Sequence, residues 1–258
     1  VSWVVSLLSN LDRADLTEKW EDSAIAWANK PRVTLKELVC PSDPSDQSVV
    51  APLAYAVNCG LRDANDPANP SGADLSTALP EKQSAGVFFN HGSYLPPTSS
   101  GSPAANPATK QQFMSIAQMT GRDGPANTVL LTENLQTTSW VPPNGTDKIP
   151  AWRFEWHVGI NWQPYDMGAN PSIPPAVKIN GALDAKEGEL QRPSSRHPGG
   201  VVMSFCDGRQ QFVSDSLDYL VYQHIMTPHG AAVAKDLAMP DTGAPNLRNS
   251  SYDPASLQ

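Results

Sequence analysis

Two short strand-like runs, residues 201–206 and 209–213, flank the dipeptide Asp207-Gly208. An Asp-Gly pair in that setting is the strongest short-range hairpin signal, because a type I′ turn needs positive φ at both central residues. It commits this part of the chain to an antiparallel ribbon. A two-residue turn pairs Cys206 with Arg209, Phe205 with Gln210, Ser204 with Gln211 and Met203 with Phe212. Val201, Met203, Phe205 and Phe212 then share one buried face. Cys206 falls on the polar face beside the turn, unpaired or available to join chains. Beyond the ribbon, Ser214 or Asp215 is placed to cap a helix with Leu217, Leu220, Val221, His224 and Ile225 on one stripe, stopped at Thr227-Pro228-His229-Gly230.

The rest of the chain has to be compatible with that ribbon and with 25 prolines in 258 residues. Proline at about twice its ordinary frequency excludes a fold dominated by long helices. An apolar fraction of 40% with seven tryptophans excludes a disordered chain. Trp3, Val4, Leu7, Leu8 and Leu11 follow helical spacing, and residues 1–28, with Trp20, Ile25 and Trp27, read as one or two short helices. Runs at 35–39, 53–57 and 128–133 read as strands, and Phe113, Ile116 and Ala117 place a helix over 111–119. Two irregular stretches, 60–110 and 135–195, are long loop insertions, and the tail from 239 is irregular. The predicted fold is therefore a single α+β domain over 1–258, an antiparallel β-sheet with flanking helices and long Pro-rich loops. The first residue is Val1, followed at once by an amphipathic pattern, which predicts an upstream segment to pack against.

A net charge of −8 and a pI near 5.0 argue against nucleic acid as a partner. No stretch approaches the ~18 apolar residues of a membrane span. Cys40 and Cys59 each end an apolar run and are followed by Pro41 and Gly60. Neighbouring strands there would allow a disulfide closing a loop of about 20 residues, worth about 3 kcal/mol in the chain-entropy picture, with two buried thiols as the alternative. No C-x-x-C pair or Cys/His cluster occurs along the chain, so no structural zinc site is predicted. Oxygen-rich loops, 41–46 and 63–66, have the donors calcium prefers, although Asp beside Pro is also ordinary turn chemistry.

None of the nucleophile-elbow, zincin, phosphate-loop or dinucleotide patterns is present, so no catalytic residue or cofactor is assigned. His197 and Asp207 make a tempting dyad, but the six extended residues between Gly200 and Asp207 separate them by about 20 Å. His197, Gly199, Gly200, Asp207 and Gly208 are accordingly read as turn and packing residues, with His197 bonding a loop. His224 is a core or boundary histidine, and His91, His157 and His229 lie in loops without partners at ligand spacing. The tryptophans of 140–162 are either a sugar-stacking platform or core or interface residues. Asn144 and Asn249 begin N-x-S/T sequons, and the Ser/Thr/Pro stretch 94–103 suits O-linked sugar.

Ser195-Arg196-His197-Pro198-Gly199-Gly200 followed by Asp207-Gly208 resembles the H-X9-DG motif of a family of prepilin-like bacterial proteins, numerous in planctomycetes. Other pieces resemble that family in order: residues 1–11 its W-x-x-L-L helix, 38–44 its L-x-C-P-S-D-P segment and 55–60 its Y-x-x-N-x-G. Residues 123–134 resemble its D-G-T-S-N-T-…-E segment, and 217–228 its closing Y-Q-x-L-M-T-P. The resemblance implies export and a type IV pilin or type II pseudopilin-like plan, here without the N-terminal hydrophobic helix. It implies no enzymatic activity, and membrane contact only through the missing segment. The function expected is an extracellular or cell-surface structural subunit that assembles with copies of itself. A glycan- or solute-binding module is the alternative.

Overall fold

Among the described residues, five strands organise the fold: β1 (Tyr55–Leu61), β2 (Val129–Glu133), β3 (Gly159–Trp162), β4 (Gly200–Phe205) and β5 (Gln210–Ser214). In the computed structural model, residues 2–43, 50–61, 83–89, 113–137, 139–141, 158–164, 177–183, 191–237, 239, 241 and 245–257 are described. The strands form one sheet in the order β3-β1-β2-β4-β5. With its flanking helices, the fold is α+β. β1–β2, β2–β4 and β4–β5 are antiparallel, but β3 lies parallel to β1, so the sheet is mixed and not wholly antiparallel. A parallel neighbour requires a crossover, and the path from β1 to β3 supplies it by way of β2.

The hairpin forms, but one residue out of the predicted register. Val201 pairs with Val213, Val202 with Phe212 and Ser204 with Gln210. Phe205 N–H donates to Arg209 O (2.8 Å) and Gly208 N–H to Phe205 O (2.9 Å). The loop is therefore three residues long, Cys206-Asp207-Gly208, and only Gly208 takes positive φ, +87°. A three-residue hairpin loop of this kind needs one left-handed residue at its end, where a type I′ turn needs two. The one-residue shift exchanges faces: Val213 is fully buried with Val201, Met203 and Phe205, while Phe212 is 48% exposed. Cys206 is buried instead of lying on an exposed polar face, and its N–H donates to Thr128 O.

Helices differ from expectation where burial spacing differs. Residues 35–39 do not form a strand, because Leu35 and Leu38 are the buried pair while Lys36 and Glu37 face solvent. That i, i+3 spacing suits the 3₁₀ turn found at Lys36–Leu38. At the N-terminus, α1 (Trp3–Leu7) and a 3₁₀ turn (Leu8–Leu11) bury Val4 and Leu8, and α2 (Ala14–Glu21) buries Leu16 and Trp20. Lys30 Nζ caps the end of α2 by donating to the carbonyls of Lys19, Trp20 and Asp22 (3.0, 2.9 and 2.6 Å). α3 (Ile116–Thr120) is shorter than the predicted 111–119 helix and starts at a Ser115/Gln118 capping box. α4 (Tyr219–Met226) is capped by Asp218, not by Ser214 or Asp215. Its buried face is Tyr219, Tyr222, Gln223, Ile225 and Met226, rotated from the predicted stripe. The rotation brings Tyr222 Oη to the carbonyl of Asn161 (3.1 Å) and Tyr219 Oη to Gln163. α5 (Gly230–Asp236) follows, with Gly230 N–H held by Asp123 Oδ2 (2.7 Å).

Two apolar clusters result among the described residues. One packs α4, α5 and Leu257 on the sheet, while the other joins the N-terminal helices to Leu35, Leu38, Leu53 and Trp140. Trp20 and Trp140 meet at a tilt with ring centroids 5.9 Å apart. Among the described residues, no helix is long and apolar enough to cross a membrane.

Candidate functional site

Three segments far apart in the chain converge where the N-terminal cluster meets the sheet. Cys40 follows the 3₁₀ turn, Glu133 ends β2 and His197 lies in the loop entering β4. Their donor atoms Sγ, Oε1 and Nε2 lie within 4.8 Å of one another. Cys40 Sγ–H donates to Glu133 Oε1 (3.2 Å), which is also 3.0 Å from His197 Nε2, and the sulfur is 3.9 Å from that nitrogen. Cys40 and Glu133 are buried, and the His197 side chain is about one-third exposed.

Each side chain is held from behind. Val202 N–H donates to Glu133 Oε2 (3.0 Å), which fixes the carboxylate and leaves Oε1 facing the sulfur and the imidazole. Ser194 N–H donates to Glu133 O (3.0 Å), fastening the histidine loop to β2. Within that loop, Ser195 Oγ accepts from His197 N–H (3.1 Å) and donates to Gly200 O (2.7 Å), while Ser195 N–H donates to Asn180 Oδ1 (2.8 Å). Burial is the main influence pushing the Cys40 thiol pKa up, reinforced by Glu133. The backbone N–H groups of Ser42 and Asp43 oppose it by favouring the thiolate. Tyr55, paired across the sheet with Glu133, is pushed up by burial and then by Cys40 and Glu133.

The glycines of the histidine loop explain its shape. Gly199 takes φ +79° with nothing within 4 Å of where a side chain would start. Gly200 is different: a Cβ there would lie 2.2 Å from Val213 O and 2.9 Å from the Phe212 ring. Asp207 sits at the opposite end of β4, where Oδ1 accepts from Arg209 N–H (2.9 Å). His197 and Asp207 are thus separated as their spacing implied, but while the His197 backbone N–H bonds its own loop, its imidazole bonds a buried carboxylate.

No disulfide joins Cys40 to Cys59. Cys40 lies beside Tyr55 and Glu133 at the start of β1, whereas Cys59 is four residues further along that strand, about 13 Å away at ~3.3 Å per residue. A bridge tolerates Cα separations only to about 7 Å. The prediction failed because 35–39 is not a strand alongside β1. The absence of a Cys/His cluster along the chain also did not carry over to space, since a cysteine and a histidine 157 residues apart share one carboxylate oxygen.

Of the calcium-type loops, Asp43 pairs with Arg196 (3.0 Å), and 44–46 and 63–66 lie outside the described residues. Asn144, His91, His157, Trp152, Trp156 and residues 94–103 also lie outside them. Asn249 is exposed, with Oδ1 accepting from Asn246 N–H (2.8 Å). His224 bonds Ser250 Oγ (3.1 Å), and His229 N–H donates to Ser84 O (3.2 Å). Trp140 and Trp162 are core residues whose indole N–H groups donate to Val33 O and Ala85 O, so neither offers a ring to a sugar.

Glu133 was the site residue that sequence reasoning passed over. A carboxylate closing an otherwise apolar strand, Val129-Leu130-Leu131-Thr132-Glu133, was the available signal, because a buried carboxylate must find partners. Chemically, the three groups converge on one point. A nucleophilic relay would place the carboxylate on the imidazole nitrogen facing away from the sulfur; here Glu133 and Cys40 approach the same Nε2. The cluster suits holding a shared proton or a cation.

Compared with known families, residues 1–220 match the model described as "Protein of unknown function (DUF1559)". No curated protein and no solved structure matches the chain.

Proposed function

We infer that this chain, which belongs to the DUF1559 family of proteins of unknown function, is a pilin-like structural subunit that is exported and assembles with copies of itself outside the cell. Membership alone is compatible with such a role and specifies no activity. The H-X9-DG resemblance adds the pilin-like plan, and the reading assigns no enzymatic activity and no nucleic-acid partner.

The observation that carries the reading is the apolar surface around α3. Ile116, 63% exposed, lies on a short helix that buries only Met119, and Phe113, 61% exposed, lies in the segment leading into it. Phe212 adds a half-exposed ring on β5, one of the two edge strands of the sheet. Exposed apolar side chains on separate elements, α3 with its lead-in and β5, suit contacts between copies that repeat head to tail, the geometry of open assemblies. The glycan-binding alternative loses Trp140 and Trp162, which are committed to the core.

Sedimentation velocity across a concentration series, with negative-stain microscopy of the same samples, tests the assignment. Ordered, concentration-dependent assemblies that dissociate in the F113S/I116S double variant support it. Monomers at every concentration, or assemblies indifferent to that double variant, refute it.

A further inference from the structure

We propose that Cys40, Glu133 and His197 form a binding site for a divalent transition-metal ion of the zinc type, with one coordination position open to water. The inference is independent of the assembly reading and rests on the side-chain geometry.

Zinc bonds to sulfur are about 2.3 Å, and those to imidazole nitrogen and carboxylate oxygen about 2.0–2.1 Å. In a tetrahedron these lengths put an oxygen–nitrogen ligand pair about 3.3 Å apart and pairs including sulfur about 3.5 Å apart. The three observed separations are 3.0 Å for oxygen to nitrogen, 3.2 Å for sulfur to oxygen and 3.9 Å for sulfur to nitrogen. Each differs from the tetrahedral value by a few tenths of an ångström, within the adjustment of one side-chain torsion. An ion therefore needs no movement of the backbone.

The surroundings already do what a ligand sphere requires. Val202 N–H fixes the carboxylate through Oε2 and leaves Oε1 to face inward. The Ser195 and Asn180 bonds hold the loop that presents the imidazole. Asp43 N–H donates to Cys40 O (3.0 Å), closing the turn that presents the sulfur. Supports of this kind orient metal ligands and tune their basicity. The donor set selects the ion: one thiolate and one imidazole favour zinc-like metals over calcium or magnesium, which take oxygen. On binding, the Cys40 thiol proton now shared with Glu133 Oε1 leaves to solvent, and the sulfur's electron pair makes the metal bond. The exposed side of His197 is the entry path and the place for a water ligand.

Cobalt(II) is the probe, titrated into the protein kept reduced with a phosphine. One equivalent should produce a thiolate-to-cobalt charge-transfer band in the near ultraviolet, which zinc then displaces. Cys40→Ser should abolish the band. His197→Gln should weaken binding by more than about tenfold, as expected for the loss of a metal ligand when even its supporting contacts matter by 10–100-fold. Circular dichroism of the metal-free proteins establishes that each variant is folded. His197→Gln, changing a partly exposed side chain, is the one to rely on if Cys40→Ser does not fold. Zinc should raise the melting temperature of the wild type and leave that of His197→Gln little changed. A wild type with titratable thiol and no cobalt band overturns the proposal, as does a band that survives in Cys40→Ser or binding unaffected by His197→Gln.

Discussion

The adjacent glycines of the histidine loop make unequal predictions. At Gly199 an added methyl group meets nothing within 4 Å, so alanine suffers only from the left-handed backbone at φ +79°, about 1–2 kcal/mol. At Gly200 the methyl group would sit 2.2 Å from Val213 O, a backbone atom of the paired strand that no rotamer change relieves. Restoring ordinary contact requires β4 and β5 to separate by roughly 1 Å. Overpacking of that kind costs about 1–3 kcal/mol. Separation also strains the bonds that close this corner: Ser195 Oγ–H to Gly200 O (2.7 Å) and Asp215 N–H to Gly199 O (2.9 Å). At about 1 kcal/mol for each hydrogen bond, Gly200→Ala should lose about 3–5 kcal/mol in total. The assay is equilibrium urea unfolding followed by tryptophan fluorescence, which Trp20, Trp140 and Trp162 report from the interior. Adding Phe212→Ala to Gly200→Ala should recover only the smaller part, since the ring contact goes and the carbonyl contact stays. If Gly199→Ala proves as costly as Gly200→Ala, or the latter costs under about 1 kcal/mol, the close-approach reasoning fails.

Three further outcomes follow from the same structure. Val213→Ala should destabilise by about 1–3 kcal/mol and Phe212→Thr by under about 1 kcal/mol in the same urea assay; the reverse order would restore the two-residue turn register. His224 has its pKa lowered by burial, with Asp123 opposing, so the unfolded chain binds the proton more tightly. Its contribution is therefore present above the unfolded value of about 6.5 and lost as pH falls from there toward the folded value. His224→Gln should flatten unfolding free energy between about pH 7 and pH 5, and an unchanged slope there would contradict the assignment. The Cys206 thiol is pushed up to about 12 by burial and then by Asp207. Iodoacetamide at neutral pH should leave Cys206 unlabelled until the protein is unfolded, as peptide mass mapping would show, whereas native labelling would place the thiol in solvent.

Local chemistry made much of the fold legible. Alternation and Asp207-Gly208 located a hairpin, and the apolar run ending at Glu133 located β2. Helical spacing located α1, and Asp218-to-Met226 contained the predicted helix within a few residues. The errors have a common origin. Type I′ and three-residue hairpin loops both accept Asp-Gly, and the choice rests on one φ angle at Asp207 that pairing with the neighbouring strand decides. Residues 35–39 alternate poorly, and their 3₁₀ turn follows from Leu35 and Leu38 packing into the N-terminal cluster. The predicted stripe on α4 left out Tyr219 and Tyr222, whose hydroxyls reach backbone groups of Asn161 in β3 and of Gln163 just after it and let the rings be buried.

By itself the sequence determined the class of fold, the presence of a late hairpin and the helical start. Those follow from periodicity and turn residues, which act over a few residues. Tertiary structure alone decided which side of β5 faces the core, the parallel placement of β3, the failure of Cys40 to reach Cys59 and the meeting of Cys40, Glu133 and His197. The last is a contact among positions 40, 133 and 197, and no spacing rule covers separations of that length. It exists because β2 pairs with β4 and brings the strand's closing carboxylate under the histidine loop, while the N-terminal cluster docks the cysteine from the other side.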